Sequence, residues 1–267
     1  MKLKLFLFCV SLIALYSCSS SNSDNTTDKS NAQVGFYLTD APSLEGYKSV
    51  KIDIQSIECS VDGQSWTKLD VKPCTVDLLH FSNGKDSLLS NVEFNAGTKV
   101  QQIRLILGDN NTLVLNNGTT VSLKTPSGQT SGLKLDVQSV AQLTSGYKII
   151  IDFDASRSIV KQGNSGSYLL KPVIRSYITA NTSAIDGNLL PSKTAMRIFT
   201  VTSTNDTIST LSDTIQNNYF KLHGLFSGTY DIKVEDLSTS KISVIQSSVK
   251  VVGGTDVHLG NLSLKID

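Results

Sequence analysis

From Gln33 onward, apolar and polar residues alternate with a period of two. Lys51-Ile52-Asp53-Ile54-Gln55 is a clear instance, and this period marks a half-buried strand. Asp62-Gly63 interrupts the run before Trp66 and Leu69 resume it, which predicts a hairpin. Leu113-Val114-Leu115, Asn116-Asn117-Gly118, then Val121 and Leu123 predict a second. Ile103–Leu107 and Lys148–Phe153 read as strands with one face fully covered. Leu169–Ile178 reads as another, with Pro172 placing it at an edge or a strand start. Helical signals are sparse. Ala155–Lys161 allows two turns, capped by Asp154 or Ser156, and Val76–Phe81 allows one. Short strands with turns every 8–12 residues or so point to an all-β chain of β-sandwiches.

The alternation is absent at the start. Lys2 and Lys4 precede an apolar stretch, Leu5–Tyr16, broken only by Ser11. A membrane span needs ~20 apolar residues, so this stretch reads as the apolar part of a signal peptide. Leu15-Tyr16-Ser17-Cys18 resembles the lipobox of bacterial lipoproteins. That resemblance implies removal of residues 1–17 and a palmitate-type acyl chain on Cys18. Ser19–Ser30 has no apolar residue and reads as a flexible tether. The resemblance places the chain at the outer membrane or cell surface, with the membrane as its partner through the lipid.

Composition narrows the function. The 267 residues carry 24 Lys+Arg against 23 Asp+Glu, a formal charge of +1. Without Lys2 and Lys4 the balance is 22 against 23. A near-neutral chain lacks the clustered basic surface that nucleic acid requires. A hydrophobic content of 39% against 18% charged residues is enough to build a core.

Cys59 and Cys74 remain after Cys9 and Cys18 are set aside. An even pair in an exported protein predicts a disulfide, with two free buried thiols as the other reading. Asp152 and Asp154 lie two apart on a strand, so both carboxylates face one way, ~6–7 Å apart. Such a pair suits a shared cation or glycosidase chemistry. The structural alternative has Asp154 capping a short helix and Asp152 paired with Arg157, Arg104 or Arg175. Trp66, the only tryptophan, either stacks on a sugar or covers the edge of a core. His80, His223 and His258 have no ligand spacing for zinc. No cofactor motif occurs, since Walker and Rossmann glycine patterns are both absent.

Two family resemblances complete the reading. Gln33 to about Ile178 resembles the bacterial domain of unknown function 4382. The motifs are Leu38-Thr39-Asp40-Ala41-Pro42, Gln102-Ile103-Arg104-Leu105, Thr125-Pro126-Ser127-Gly128 with Gly132-Leu133-Lys134-Leu135, Asp152 to Val160, and Leu170 to Arg175. The resemblance implies a β-sandwich in an exported lipoprotein and no assigned activity. Residues from about Ile185 to Leu264 resemble the carboxypeptidase-regulatory, or prealbumin-like, sandwich. Phe220–Leu225 and Gly228–Val234 carry that match. Starch-binding modules share that fold, which implies carbohydrate binding by analogy alone.

The expected organisation is a signal peptide (1–17), a lipidated tether (18–30), a first sandwich (31–180) and a second sandwich (181–267). The expected function is a non-enzymatic binding or structural module with a glycan or envelope protein as ligand. The alternatives are a hydrolase or metal-assisted enzyme built on Asp152 and Asp154, and a surface assembly subunit.

Overall fold

A computed structural model describes residues 31–41, 47–125, 132–138, 143, 146–191 and 194–264. Cys18, Pro42 and the Pro126-Ser127-Gly128 turn lie outside the described residues. The chain is all-β. The first group of strands is β1 (Ala32–Ala41), β2 (Tyr47–Ser60), β3 (Thr67–Lys68), β4 (Cys74–Asp77), β5 (Ser87–Phe94), β6 (Gln102–Leu107) and β7 (Thr112–Leu115). It continues with β8 (Thr120–Lys124), β9 (Leu133–Gln138), β10 (Tyr147–Asp154), the single turn α1 (Ala155–Ser158), β11 (Ile159–Lys161), β12 (Tyr168–Leu170) and β13 (Ile174–Ile178). The second group is β14 (Ser183–Leu190), β15 (Met196–Val201), β16 (Thr207–Leu211), β17 (Tyr219–Leu225), β18 (Gly228–Asp236), β19 (Ile242–Val251) and β20 (Val257–Ser263).

The first group forms one 13-stranded hydrogen-bonded sheet with the main order β11-β12-β8-β7-β2-β6-β9-β13-β10-β1-β5. It folds over a single core that includes Phe36, Ile52, Ile57, Leu105, Ile151 and Phe153. β2 makes the corner. It pairs β7 along Tyr47–Lys51 and β6 along Ile54–Ser60, with register shifts near Ser49 and Ser56. Bulges of this kind let one strand serve two layers. The second group forms a three-stranded sheet, β17-β14-β20, and a four-stranded sheet, β16-β15-β18-β19. Ile185, Ile198, Phe220, Leu222 and Ile232 fill the space between them.

Both predicted hairpin turns join paired strands. Asn116–Gly118 links β7 to β8, and Gly118 is left-handed at φ 86°. Asp62-Gly63 links β2 to β3, where Asp62 Oδ1 accepts from the Gln64 and Ser65 backbone N–H groups. Other expectations need correction. The predicted helix over Ala155–Lys161 stops after one turn, because β-branched Ile159 and Val160 enter β11. The strand expected over Leu169–Ile178 breaks around Pro172 into β12 and β13, since proline has no N–H for the ladder. β10 was expected to have one covered face, yet Ile149 to Asp154 is buried throughout. One of its faces lies on the core. The other meets the junction with the second group.

The expected disulfide does not form. Cys59 and Cys74 are both free thiols. On the β2–β4 ladder Cys74 stands opposite Ile54, five positions from Cys59. At ~3.3 Å per residue the two lie roughly 16 Å apart along the strand, beyond the ~7 Å limit for a bridge. Cys59 is buried among core residues, and burial pushes its thiol up to about 11. Burial and the nearby Asp53 raise Cys74 as well.

Candidate functional site

Residues from four resemblance motifs of the two groups converge where the groups meet. β10 supplies Asp152 and Asp154, and its antiparallel neighbour β13 places Arg175 directly opposite Asp152. Arg175 Nε and Nη2 both reach Asp152 Oδ2, at 2.7 and 2.6 Å. The remaining donors cross the junction. Nη1 donates to the Gly224 carbonyl at 3.0 Å and Nη2 to the His223 carbonyl at 2.9 Å. The guanidinium carbon also lies 4.9 Å from the centre of the Tyr177 ring. The side chains of Arg175 and Asp152 are only 13% and 6% exposed. Burial pulls the Arg175 pKa down, and Asp152, Tyr177 and Asp206 together more than offset that pull, so the guanidinium stays charged.

Tyr177 and His223 complete the contact. Tyr177 Oη lies 2.6 Å from His223 Nδ1. Burial raises the Tyr177 pKa well above its ordinary range and lowers that of His223. Both shifts favour the uncharged forms, so the contact joins a protonated phenol to a neutral imidazole. Gly224 makes room for both partners. Its φ is +70°, and a Cβ there would meet the Tyr177 ring at 2.5 Å and Arg175 Nη2 at 2.9 Å. Only glycine combines that backbone region with that approach.

Asp154 has a different partner set. It caps α1, accepting from Arg157 N at 3.0 Å and Ser156 Oγ at 2.6 Å. Arg157 Nε returns to Asp154 Oδ2 at 2.7 Å. Its Nη1 then reaches Asp206 of the second group at 3.2 Å. Asn83 adds a further crossing, with Oδ1 accepting from Thr210 Oγ1 and from Lys221 N. Asp152, Asp154, Arg157, Arg175, Asp206 and His223 surround a cavity of about 60 Å³. On the other side of the junction, a cleft of about 340 Å³ is rimmed by the Lys148–Asp86 and Lys221–Asp256 ion pairs, at 2.9 and 3.1 Å.

This geometry bears on the chemistry expected of the acidic pair. Each carboxylate is held by an arginine, and Asp154 also serves as a helix cap. Among the described residues, no three His, Cys, Asp or Glu side chains gather as a metal site would require. His258 pairs with Asp186 at 2.9 Å, and His80 lies within the 3-10 turn Leu78–Phe81, so neither adds a ligand here. Trp66 is half-buried, far along the first sheet, with Arg104 over its ring at 4.0 Å and Lys134 at 5.8 Å. Arg104 is in turn paired with Glu58 at 3.0 Å. A cation therefore covers a face of the indole ring.

Sequence reasoning missed Asp40 and the role of Tyr177 and His223. Asp40, in the Leu-Thr-Asp-Ala motif, is 1% exposed. Its Oδ1 accepts from Ala155 N at 3.0 Å, and Oδ2 has no partner among the described residues. Burial, with Asp152 and Asp154 nearby, raises its pKa well above the usual carboxylate range. A polar residue inside the otherwise buried pattern of β1 is the signal that could have found it.

The family described as Domain of unknown function (DUF4382) matches residues 31–172, just over half of the chain. No curated protein matches. Among solved structures, the Bacillus anthracis TIE protein is similar at 7% identity and a TM-score of 0.25, over 88% of this chain and 34% of that one. This chain therefore spans about a third of its length. BcpA, the major pilin subunit of Bacillus cereus, is similar at 11% identity and a TM-score of 0.22, over 87% and 70%. A leucine-rich repeat protein from Bacteroides thetaiotaomicron is similar at 13% identity and a TM-score of 0.19, over 89% and 26%.

Proposed function

The chain belongs to the DUF4382 family, and from that membership we propose that it is a lipid-anchored, non-enzymatic structural or binding module of the bacterial cell envelope. One observation carries the non-enzymatic part. The carboxylates best placed for acid–base or metal chemistry are held in structural contacts, Asp152 Oδ2 by the buried Arg175 and Asp154 by Arg157 and the cap of α1, while Asp152 Oδ1 has no partner among the described residues and is buried away from solvent. A general base needs a lone pair within reach of a substrate. Here one arginine fixes Asp152 against the second sandwich instead. In this reading Cys18 carries the acyl chain, residues 19–30 space the fold from the outer membrane, and the second, prealbumin-like sandwich is displayed outward. The ligand is a glycan or another envelope protein.

Two variants test the reading. Cys18→Ala should abolish metabolic labelling with palmitate and release the protein from the membrane fraction. Unchanged labelling would remove the anchor. The doubly substituted Asp152→Asn, Asp154→Asn chain should be less stable while keeping whatever glycan or pull-down signal the parent gives. A hydrolytic activity lost in that variant at a temperature where it stays folded would overturn the non-enzymatic assignment.

A further inference from the structure

The cleft of about 340 Å³ at the junction draws on both sandwiches. The first supplies Lys148 and Asp86, paired at 2.9 Å, and the second supplies Lys221 and Asp256, paired at 3.1 Å. All four side chains are partly exposed, between 28% and 41%. Their heads are held in place. Lys148 Nζ lies 4.2 Å from the centre of the Tyr37 ring. The Lys221 stem runs beside the left-handed Gly84, where a Cβ would meet its Cδ at 3.0 Å. Asp256 Oδ1 accepts from Ala184 N at 2.8 Å.

Hydroxyls on the cleft wall are committed to the protein. Thr39 Oγ1 donates to the Lys85 carbonyl at 2.8 Å, and Ser183 Oγ donates to the Val252 carbonyl at 2.7 Å. Capacity to bind a ligand therefore rests with the four charged heads. An ammonium has three N–H donors and a carboxylate about four acceptor sites, so an ion pair uses a fraction of each. Two carboxylates against two ammonium groups leave the rim without net charge.

These features select a ligand. Lysine only donates and an ionised aspartate only accepts. Side by side they match a vicinal diol, in which one hydroxyl accepts and its neighbour donates. A charged ligand would bring a like charge against one member of each pair. A peptide would need an open strand edge or apolar pockets for its side chains. Among the described residues, Ile150 and Ala184 are the only purely aliphatic side chains on the cleft wall, and both are buried. We infer that this cleft is a glycan-binding site: it takes a short neutral segment of a polysaccharide, with vicinal hydroxyls on the Lys148–Asp86 and Lys221–Asp256 pairs. Its volume falls at the small end of the ~300–1,000 Å³ range of ligand pockets, and the seam between two domains is a place that ligands favour. The site rests on the glycan reading of the proposed function and gives that ligand a location.

An array of neutral oligosaccharides (fragments of starch, β-glucan, xylan and mannan) beside uronate-rich fragments of pectin and alginate tests it, with the full chain in mild detergent. Wild type should mark neutral fragments over uronate ones. In isothermal titration with the strongest neutral fragment, Lys148→Met and Lys221→Met, made singly, should each weaken binding roughly ten- to hundredfold through lost charge-assisted hydrogen bonds. Methionine keeps an apolar stem, and partly exposed ion pairs add little stability, so both variants should melt like the parent. Lys250→Met removes an exposed lysine on β19 and should bind like wild type. Binding unchanged in both cleft variants, or lost equally in Lys250→Met, would overturn the site and leave the glycan reading standing. A preference for uronate fragments would overturn the neutral ligand. A silent array would overturn the site and remove the glycan from the proposed function as well.

Discussion

Tyr177 Oη and His223 Nδ1 meet at 2.6 Å from opposite sides of the junction. Burial of the ring holds the His223 pKa below its ordinary value. The unfolded chain therefore binds the extra proton first. Stability from this site is complete above about pH 6.5 and is lost as pH falls from there toward the lower folded value. Asp152 pulls the His223 pKa up, while Arg175 and Lys221 push it down. Urea unfolding between about pH 7.5 and 5 should show the midpoint falling with acid. In His223→Gln that part of the slope should vanish. An identical slope in the variant would mean that His223 is not the titrating group.

Asp40 works in the opposite sense. Its folded pKa is raised, chiefly by burial. It thus adds stability below the ordinary carboxylate value near 3.9, and this is lost as pH rises through the folded value. Asp40→Asn keeps an acceptor for Ala155 N and removes the ionisation. At neutral pH the variant should unfold at a denaturant midpoint equal to or above that of the parent. A loss of more than ~2 kcal/mol would show that the carboxylate itself is required.

The two arginines of the junction should differ sharply on truncation. Arg175→Ala leaves Asp152 buried without its partner and should cost ~3–5 kcal/mol in denaturant unfolding. Arg157 is 39% exposed, so water compensates for it. Arg157→Ala should cost at most about 1 kcal/mol. Equal effects would contradict the clamp.

The cysteines give a chemical check. Thiol titration of the unfolded, unreduced chain should find Cys59 and Cys74 both free, and reductant should not move the melting temperature. In the folded state Cys59 should alkylate more slowly than Cys74, because it is buried and its thiol is pushed up to about 11. One missing pair of thiols would restore the disulfide.

Strand content was legible because alternation is local. Lys51–Gln55, Ile103–Leu107 and the Asn116–Gly118 turn each carry their own signal within a few residues. The local cap on α1 was equally readable, since Asp154 lies next to the turn it closes. The junction was not. Arg175 meets Gly224 and His223 across 49 and 48 positions, and no periodicity announces such a meeting. Gly224 lies within β17 and is small because Tyr177 and Arg175 crowd it. The cysteine pairing failed for a related reason. An even count says nothing of register, and register sets the two thiols five positions apart.

The acidic pair is structural, with Arg175 locking the two sandwiches into one body. Differential scanning calorimetry of the full chain tests it most directly, with Arg175→Ala alongside. The account predicts one cooperative transition for the wild type, with calorimetric and van't Hoff enthalpies equal, and two separate transitions for Arg175→Ala. Two independent transitions in the wild type, unchanged by the substitution, would contradict it.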